Sequence, residues 1–512
     1  MPTSSVISAA RPAGSVGTVV SAAFAALLCA AMLIGSDGTP AKIAVVAWAG
    51  LVVLACLPIT LYFRGTTERL LLLALAVTLS ISLKVHLLYR TEHIGGAIGL
   101  RVSITEVLLG CLLVACTWRL ANSPDNLRVE IDTPILKAML AYLACAATST
   151  LLGSNFDLGF YQLVAVLQAF FVFVFVTNYV SSAERLRTCI VGVVLSLALQ
   201  SAVAIVQVEK PGLVNLAFLG AEEQTEETVV AGDVALPNVD KGTTKIAGQI
   251  EHRPSGLLIH PNVLAAYLVL SIPVAAGAWA IANSMCLQLL CLVSAGAGGA
   301  ALYFSLSRSG WAGMALALCL IAGLYWKLPL LKPTPGRKLI IVLAVAAGVA
   351  GLAVESQRIY LRLTESAGDA VKFRSDLAST AWNMTKAHPF FGTGFNSFTE
   401  VMADYDTTGM SRLKKFPAHN VYLLELSEGG FSTGLAFLGL VGVIILRVFQ
   451  VSGRSGSRAL RTVAVFTACG ICGFWLTQVS DYVYRIPILT TLVWFHVGLV
   501  YAAANLRESV SL

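Results

Sequence analysis

Apolar runs long enough to cross a bilayer recur through this chain from Val16 onward, and they constrain its fold more than any other feature. A hydrocarbon core about 30 Å thick needs roughly 20 residues of helix to span it. Inside it every backbone N–H and C=O must find a partner within the protein, which leaves helices or a closed barrel. The runs are rich in Leu, Ala and Val and lack the two-residue alternation of barrel strands, so helices are expected. Composition agrees: 57% of the 512 residues are hydrophobic and only 12% are charged, where a soluble domain carries about 25%.

The predicted spans are 17–34, 42–63, 69–88, 102–121, 135–152, 159–180, 188–208, 261–282, 286–305, 310–328, 339–355, 420–446, 462–480 and 486–504. Met1 to Gly14 is short and polar with no cleavage-site pattern, so the run after it is read as a first span. Basic residues then choose the side. Arg64, Arg69, Arg119, Arg128, Lys137, Arg185, Arg187, Lys327, Lys332, Arg337, Lys338, Arg447, Arg454, Arg458 and Arg461 follow even-numbered spans. Positive charge favours the cytoplasm, which puts both termini inside.

The expected fold class is therefore all-α: a polytopic transmembrane helix bundle of about 12–14 spans with two long periplasmic loops. The expected organisation is an N-terminal bundle at 1–208, an acidic loop at 209–260, central helices at 261–354, a second loop at 355–420 and C-terminal helices at 421–512. Both loops and the short Ser305–Gly310 turn face the same compartment. The chemistry is expected on the extracytoplasmic side of the membrane.

The net charge of +7 is spread among loops, with no basic helix and no aromatic-interleaved patch, so it reads as topogenic charge and not as a nucleic-acid surface. All eleven cysteines fall in apolar runs, and Cys469-x-x-Cys472 sits among small residues of a predicted span. That placement fits packing better than redox or metal work. The seven histidines include no H-E-x-x-H and no zinc spacing, so no metal and no cofactor are expected.

Four groups on the loop side could carry chemistry. His252-Arg253-Pro254-Ser255-Gly256 runs into His260-Pro261-Asn262 at the mouth of a span. A proline there suits a first helical turn, and a helix N-terminus beside Arg253 favours a phosphate; Arg253 also suits a headgroup anchor. Ser305-Leu306-Ser307-Arg308 lies between two spans, where an arginine also suits snorkelling to lipid phosphates. Arg374 precedes Trp382 and then His388-Pro389-Phe390-Phe391-Gly392-Thr393-Gly394-Phe395, whose glycines point to a tight turn with close backbone approach. His419-Asn420 closes the long loop before Glu425 and Glu428-Gly429-Gly430. A histidine titrates near neutral pH and can act as a general base, though capping a helix would serve as well. Arginine forks bind phosphate oxygens bidentately and stay charged, so Arg253, Arg308 and Arg374 around His419 would clamp a diphosphate.

The order R-x-x-G with P-N, S-x-S-R, R then W then H-P-F-F-G-T-G-F, and H-N-x-Y-L with E-G-G resembles the O-antigen ligase and polymerase family, over roughly residues 250–440. The resemblance implies a glycosyltransferase of the bacterial inner (cytoplasmic) membrane, active at its periplasmic face, that takes a glycan from undecaprenyl diphosphate, without metal, and inverts the anomeric centre. It implies that Arg253 and Arg374 hold the diphosphate, helped by Arg308, that His419 deprotonates the attacking hydroxyl, and that Asn262, Asn420 and Glu428 support the site. The implied partners are the lipid-linked donor, a saccharide or lipid A-core acceptor, membrane lipid and other polysaccharide-assembly proteins. Polymerisation of a surface polysaccharide or exopolysaccharide is slightly favoured over ligation, because the loop 209–250 leaves room for a sugar acceptor. The alternative is a lipid-linked oligosaccharide flippase or secondary transporter, which would keep charged residues at span centres.

Overall fold

The computed structural model describes residues 66–90, 93–122, 129–210, 243–246, 249–327, 334–364, 367–413 and 415–506. The predicted spans 17–34 and 42–63 and most of the acidic loop lie outside the described residues. Helix α1 (Thr66–Thr78) leads into an antiparallel hairpin, β1 (Lys84–Tyr89) and β2 (Gly99–Ser103), and then α2 (Ile104–Asn122). Helices α3 (Thr133–Leu152), α4 (Phe156–Tyr179) and α5 (Ala183–Glu209) follow. A second hairpin, β3 (Thr243–Ile246) and β4 (Gln249–His252), precedes α6 (Pro261–Ile281), α7 (Met285–Phe304), α8 (Arg308–Lys327) and α9 (Pro335–Val354). The segment up to residue 420 holds α10 (Ser356–Thr364) and α11 (Ala367–Ala387) with two short turns of helix, before α12 (Val421–Ser452), α13 (Arg458–Thr477) and α14 (Pro487–Asn505).

Among the described residues nine helices, α3 to α8 and α12 to α14, are long and apolar enough to cross a membrane. The protein is a multi-pass membrane helix bundle. Two expectations need correcting. The predicted span 69–88 is helical only to Thr78 and then becomes strand β1, because Lys84 and the alternating Val85, His86 and Leu87 suit a paired strand with two faces. The segment 355–420 is largely helical, since α11 buries Leu377, Ala381 and Met384 against Phe398, Met402, Ala418 and Leu424.

Helices α6, α13 and α14 form the enclosed centre of the bundle. α6 packs on α13, α14 on α4, α8 on α13, and α12 on α3. The helices alternate in direction, so their ends fall into two layers. One layer is capped by Asp132, Ser182, Ser284 and Thr334, each accepting from a backbone N–H of the first turn. It carries the ion pairs Arg447–Asp132 and Arg185–Glu68. The opposite layer holds both hairpins, α10, α11, the Ser305 turn and the residues before α6 and α12, with His260 and Asn420 as caps. The predicted chemical groups thus share one end of the bundle.

Candidate active site

Arg253 lies just after β4, and two helix ends hold it. Its Nε donates to the Ser305 carbonyl at 2.7 Å and its Nη2 to Asn262 Oδ1 at 2.7 Å. Asn262 in turn donates to Asp481 Oδ2 at 2.6 Å. The Ser305–Leu306 turn ends α7 with Leu306 in the left-handed region at φ 50°. That conformation turns two carbonyls toward arginines: Ser305 accepts from Arg253, and Leu306 accepts from Arg362 Nε at 3.2 Å. Arg308 follows as the first residue of α8.

These groups repel one another. Arg253 feels Arg362, Arg374 and Arg308, with Asp481 opposing them. Burial, reinforced chiefly by Arg362, pushes the Arg253 guanidinium down to about 9, and burial with Arg308 and Arg374 pushes Arg362 down to about 10. Guanidinium still holds its proton at neutral pH. Neither Arg308 nor Arg374 has an acidic partner among the described residues. Asp481 acts on Arg253 and Glu251 on Arg362, yet the four guanidiniums still repel one another, and an anion would stabilise such a site.

His419 borders this cluster. Its Nδ1 lies 3.2 Å from the Pro417 carbonyl, which can only accept, so Nδ1 carries the proton and Nε2 keeps its lone pair. The ring is set by edge contacts with Phe373, Phe416 and Tyr482. Phe373 precedes Arg374 on α11, so the packing of α11 brings arginine and imidazole together. Burial lowers the His419 pKa; Asp481 pulls it back up and Arg374 pushes it down. An imidazole with a lowered pKa, and with no protein partner at Nε2 among the described residues, is equipped to take a proton beside the cationic cluster.

The structure therefore brings Arg253, Arg308, Arg374, His419 and Asn262 together. Asn420 caps α12, its Oδ1 accepting from Leu423 N at 3.0 Å, which fixes the residue after the histidine. Glu428 serves elsewhere. Its carboxylate accepts from Asn396 N at 2.9 Å, from Phe398 N at 3.0 Å and from Arg485 Nη2 at 2.6 Å. Arg485 also donates to Glu425 at 2.6 Å, and its guanidinium lies 4.4 Å from the Phe395 ring centre.

The glycines of the H-P-F-F-G-T-G-F segment approach this same protein framework. α12 breaks at Gly430, φ 65°, which frees the N–H groups beyond the break. Phe431 N donates to the Pro389 carbonyl at 2.7 Å and Ser432 N to Phe390 at 3.3 Å, while Gly394 N donates back to the Glu428 carbonyl at 2.9 Å. A Cβ on Gly392 would collide with the Glu428 carbonyl, and one on Gly430 with the Phe390 backbone. The two glycine motifs are halves of one interlock that fixes α11 against α12.

Residues 291–438 match the family model described as O-antigen ligase. That stretch, less than a third of the chain, is similar to the O-antigen ligase family. The match runs from within α7 to the middle of α12, including Arg308, Arg374, His419, Asn420 and Glu428; Arg253, Asn262 and Asp481 lie outside it. No curated protein matched the chain.

Sequence reasoning left three neighbours out of the site. Arg362 gave a local signal, since it shares the short polar helix α10 with Arg358. Asp481 sits in the short connection between the last two predicted spans, with nothing in the sequence to tie it to Asn262. His260 was read as a helix-cap neighbour, with no signal in the sequence for its second nitrogen.

Proposed function

We propose that this protein transfers a glycan from undecaprenyl diphosphate to a hydroxyl acceptor at the periplasmic face of the bacterial inner membrane. The observation that carries the reading is the cluster of Arg253, Arg308, Arg362 and Arg374, bordered at Arg374 by an imidazole whose Nε2 has no protein partner among the described residues. The O-antigen ligase match supports the reaction class.

In this mechanism the donor diphosphate lies against Arg253, Arg374, Arg308 and Arg362, with its lipid tail in the bilayer. The acceptor oxygen attacks the anomeric carbon as its proton passes to His419 Nε2. The bond from that carbon to the diphosphate oxygen breaks, and its electron pair leaves on the diphosphate. One displacement inverts the anomeric centre. The guanidiniums supply the positive charge that a divalent metal would otherwise bring. A donor clamp of this kind is worth roughly 10²–10³ in rate per stabilising group, and the base typically ~10²–10⁴.

The test is to incubate the purified protein with an undecaprenyl-diphosphate-linked repeat unit and resolve the glycolipids by gel. A product that disappears in His419→Ala is expected. A ladder from donor alone identifies a polymerase, and a product requiring a lipid A-core acceptor identifies a ligase. Absence of any His419-dependent product with the cognate donor and either acceptor would overturn the proposal.

A further inference from the structure

Two imidazoles border the arginine cluster, and their backbone partners set them in opposite tautomers. His419 Nδ1 faces the Pro417 carbonyl and must donate. His260 Nδ1 faces the Asn262 backbone N–H at 3.1 Å and must accept. The proton of a neutral His260 is therefore on Nε2, and among the described residues no protein acceptor is paired with it. Its neighbours place it inside the cluster: Asn262 bonds to both Arg253 and Asp481, and His260 interacts electrostatically with Arg253, His419 and Arg374.

We propose that His260 donates its Nε2–H to a phosphate oxygen of the reacting diphosphate, as an uncharged hydrogen-bond donor placed among the arginines. The inference rests on the glycan-transfer reading above. As the bond to the anomeric carbon breaks, negative charge grows on the diphosphate, and a preorganised N–H stabilises that charge more than the ground state. The proton stays on Nε2 throughout, so His260 is an electrophilic partner and no proton donor. The state is enforced: burial, with Arg253 next to it, holds the imidazole down to about 3, and an imidazolium could not accept the Asn262 N–H. Histidine at this cap thus does what a serine or aspartate cannot, capping α6 with one nitrogen and presenting a donor with the other.

Two substitutions separate capping from donation. His260→Ser keeps a capping oxygen and removes the reaching N–H; His260→Asn keeps a capping oxygen and an amide N–H. Donation predicts a fall of ~10²–10³ in kcat for Ser, with thermal stability kept, and partial recovery for Asn. Wild-type turnover in Ser, with the wild-type enzyme active in the same assay, would overturn the inference and leave the proposed function standing. An inactive wild type would instead sink the proposed function. A second readout is independent of turnover and of any fold defect in Ser. In protein labelled with ¹⁵N-histidine, the resonance lost in His260→Asn is expected to show a bare Nδ1 and a protonated Nε2 at neutral pH. The Nε2 signal is expected to shift on adding inorganic diphosphate. The opposite tautomer, or an unmoved signal at saturating diphosphate, would overturn the proposal.

Discussion

Arg485 and Glu428 form a 2.6 Å ion pair whose side chains are only 1% and 3% exposed. The pair joins the loop before α14 to the break in α12, and Glu428 passes the connection to the backbone N–H groups of Asn396 and Phe398. Removing Glu428 leaves Arg485 with Glu425 as its one acidic partner among the described residues and orphans the enclosed N–H groups of Asn396 and Phe398. Glu428→Ala is expected to destabilise the protein by ~3–5 kcal/mol, measured by thermal or denaturant unfolding in detergent. A loss below about 1 kcal/mol, the value of a surface pair, would mean that water reaches this pair.

Gly392 has φ 68° and faces the Glu428 carbonyl. Gly392→Ala combines a left-handed backbone with a collision, so a loss of ~1–3 kcal/mol is expected. The control is Gly299→Ala on α7, where a Cβ meets nothing within 4 Å and helix propensity predicts an unchanged or slightly higher stability. Equal behaviour of the two variants in the same unfolding assay would contradict the interlock.

Arg253→Lys keeps the charge and loses the fork that reaches Ser305 and Asn262 together. An ammonium is a point donor and does not replace two divergent N–H groups. A fall of ~10²–10³ in kcat/KM for the lipid-linked donor is expected. Turnover within a few-fold of wild type would remove Arg253 from the proposed clamp.

The pH dependence of kcat/KM reports the free enzyme's base. Burial lowers the His419 pKa from its usual 6.5, so the neutral base persists below that pH. The acid limb of the profile is expected below 6.5. Asp481 favours the protonated ring, so Asp481→Asn removes a stabiliser of imidazolium and is expected to move the limb further down. A limb above 6.5, or one moved upward in Asp481→Asn, would assign the titration to another group.

His260 carries its own signature in stability. Its folded pKa is depressed to about 3 from 6.5, so between these values the unfolded chain binds the proton and the folded protein does not. Stability therefore falls as pH drops through 6.5 toward 3. His260→Asn is expected to flatten that part of the stability curve, and an unchanged slope would show that the ring is protonated in the folded state.

Nine of the expected spans, from 135–152 onward, match long apolar helices within a few residues, because hydrocarbon rewards unbroken apolar helix whatever its neighbours are. The segment 69–88 was misread because apolar content alone does not separate a short helix plus strand from a span. That the candidate groups would gather at one end of the bundle was legible too, because successive spans alternate in direction. What residues 1–65 and 211–242 form is outside the described residues.

Partner choice was another matter. Glu428 and His419 both looked like site residues beside a span, yet one closes a buried interlock with Arg485 and the other faces the arginines. Arg485, sixty residues from Glu425, gave no sign of where it would go. The tautomers of His260 and His419 depend on single backbone atoms of Asn262 and Pro417, and Asn262 is what links Asp481 to Arg253 by hydrogen bonds. Hydrophobic pattern acts over a whole helix and can be read along the chain, whereas a hydrogen bond depends on angstrom-scale placement that packing alone decides.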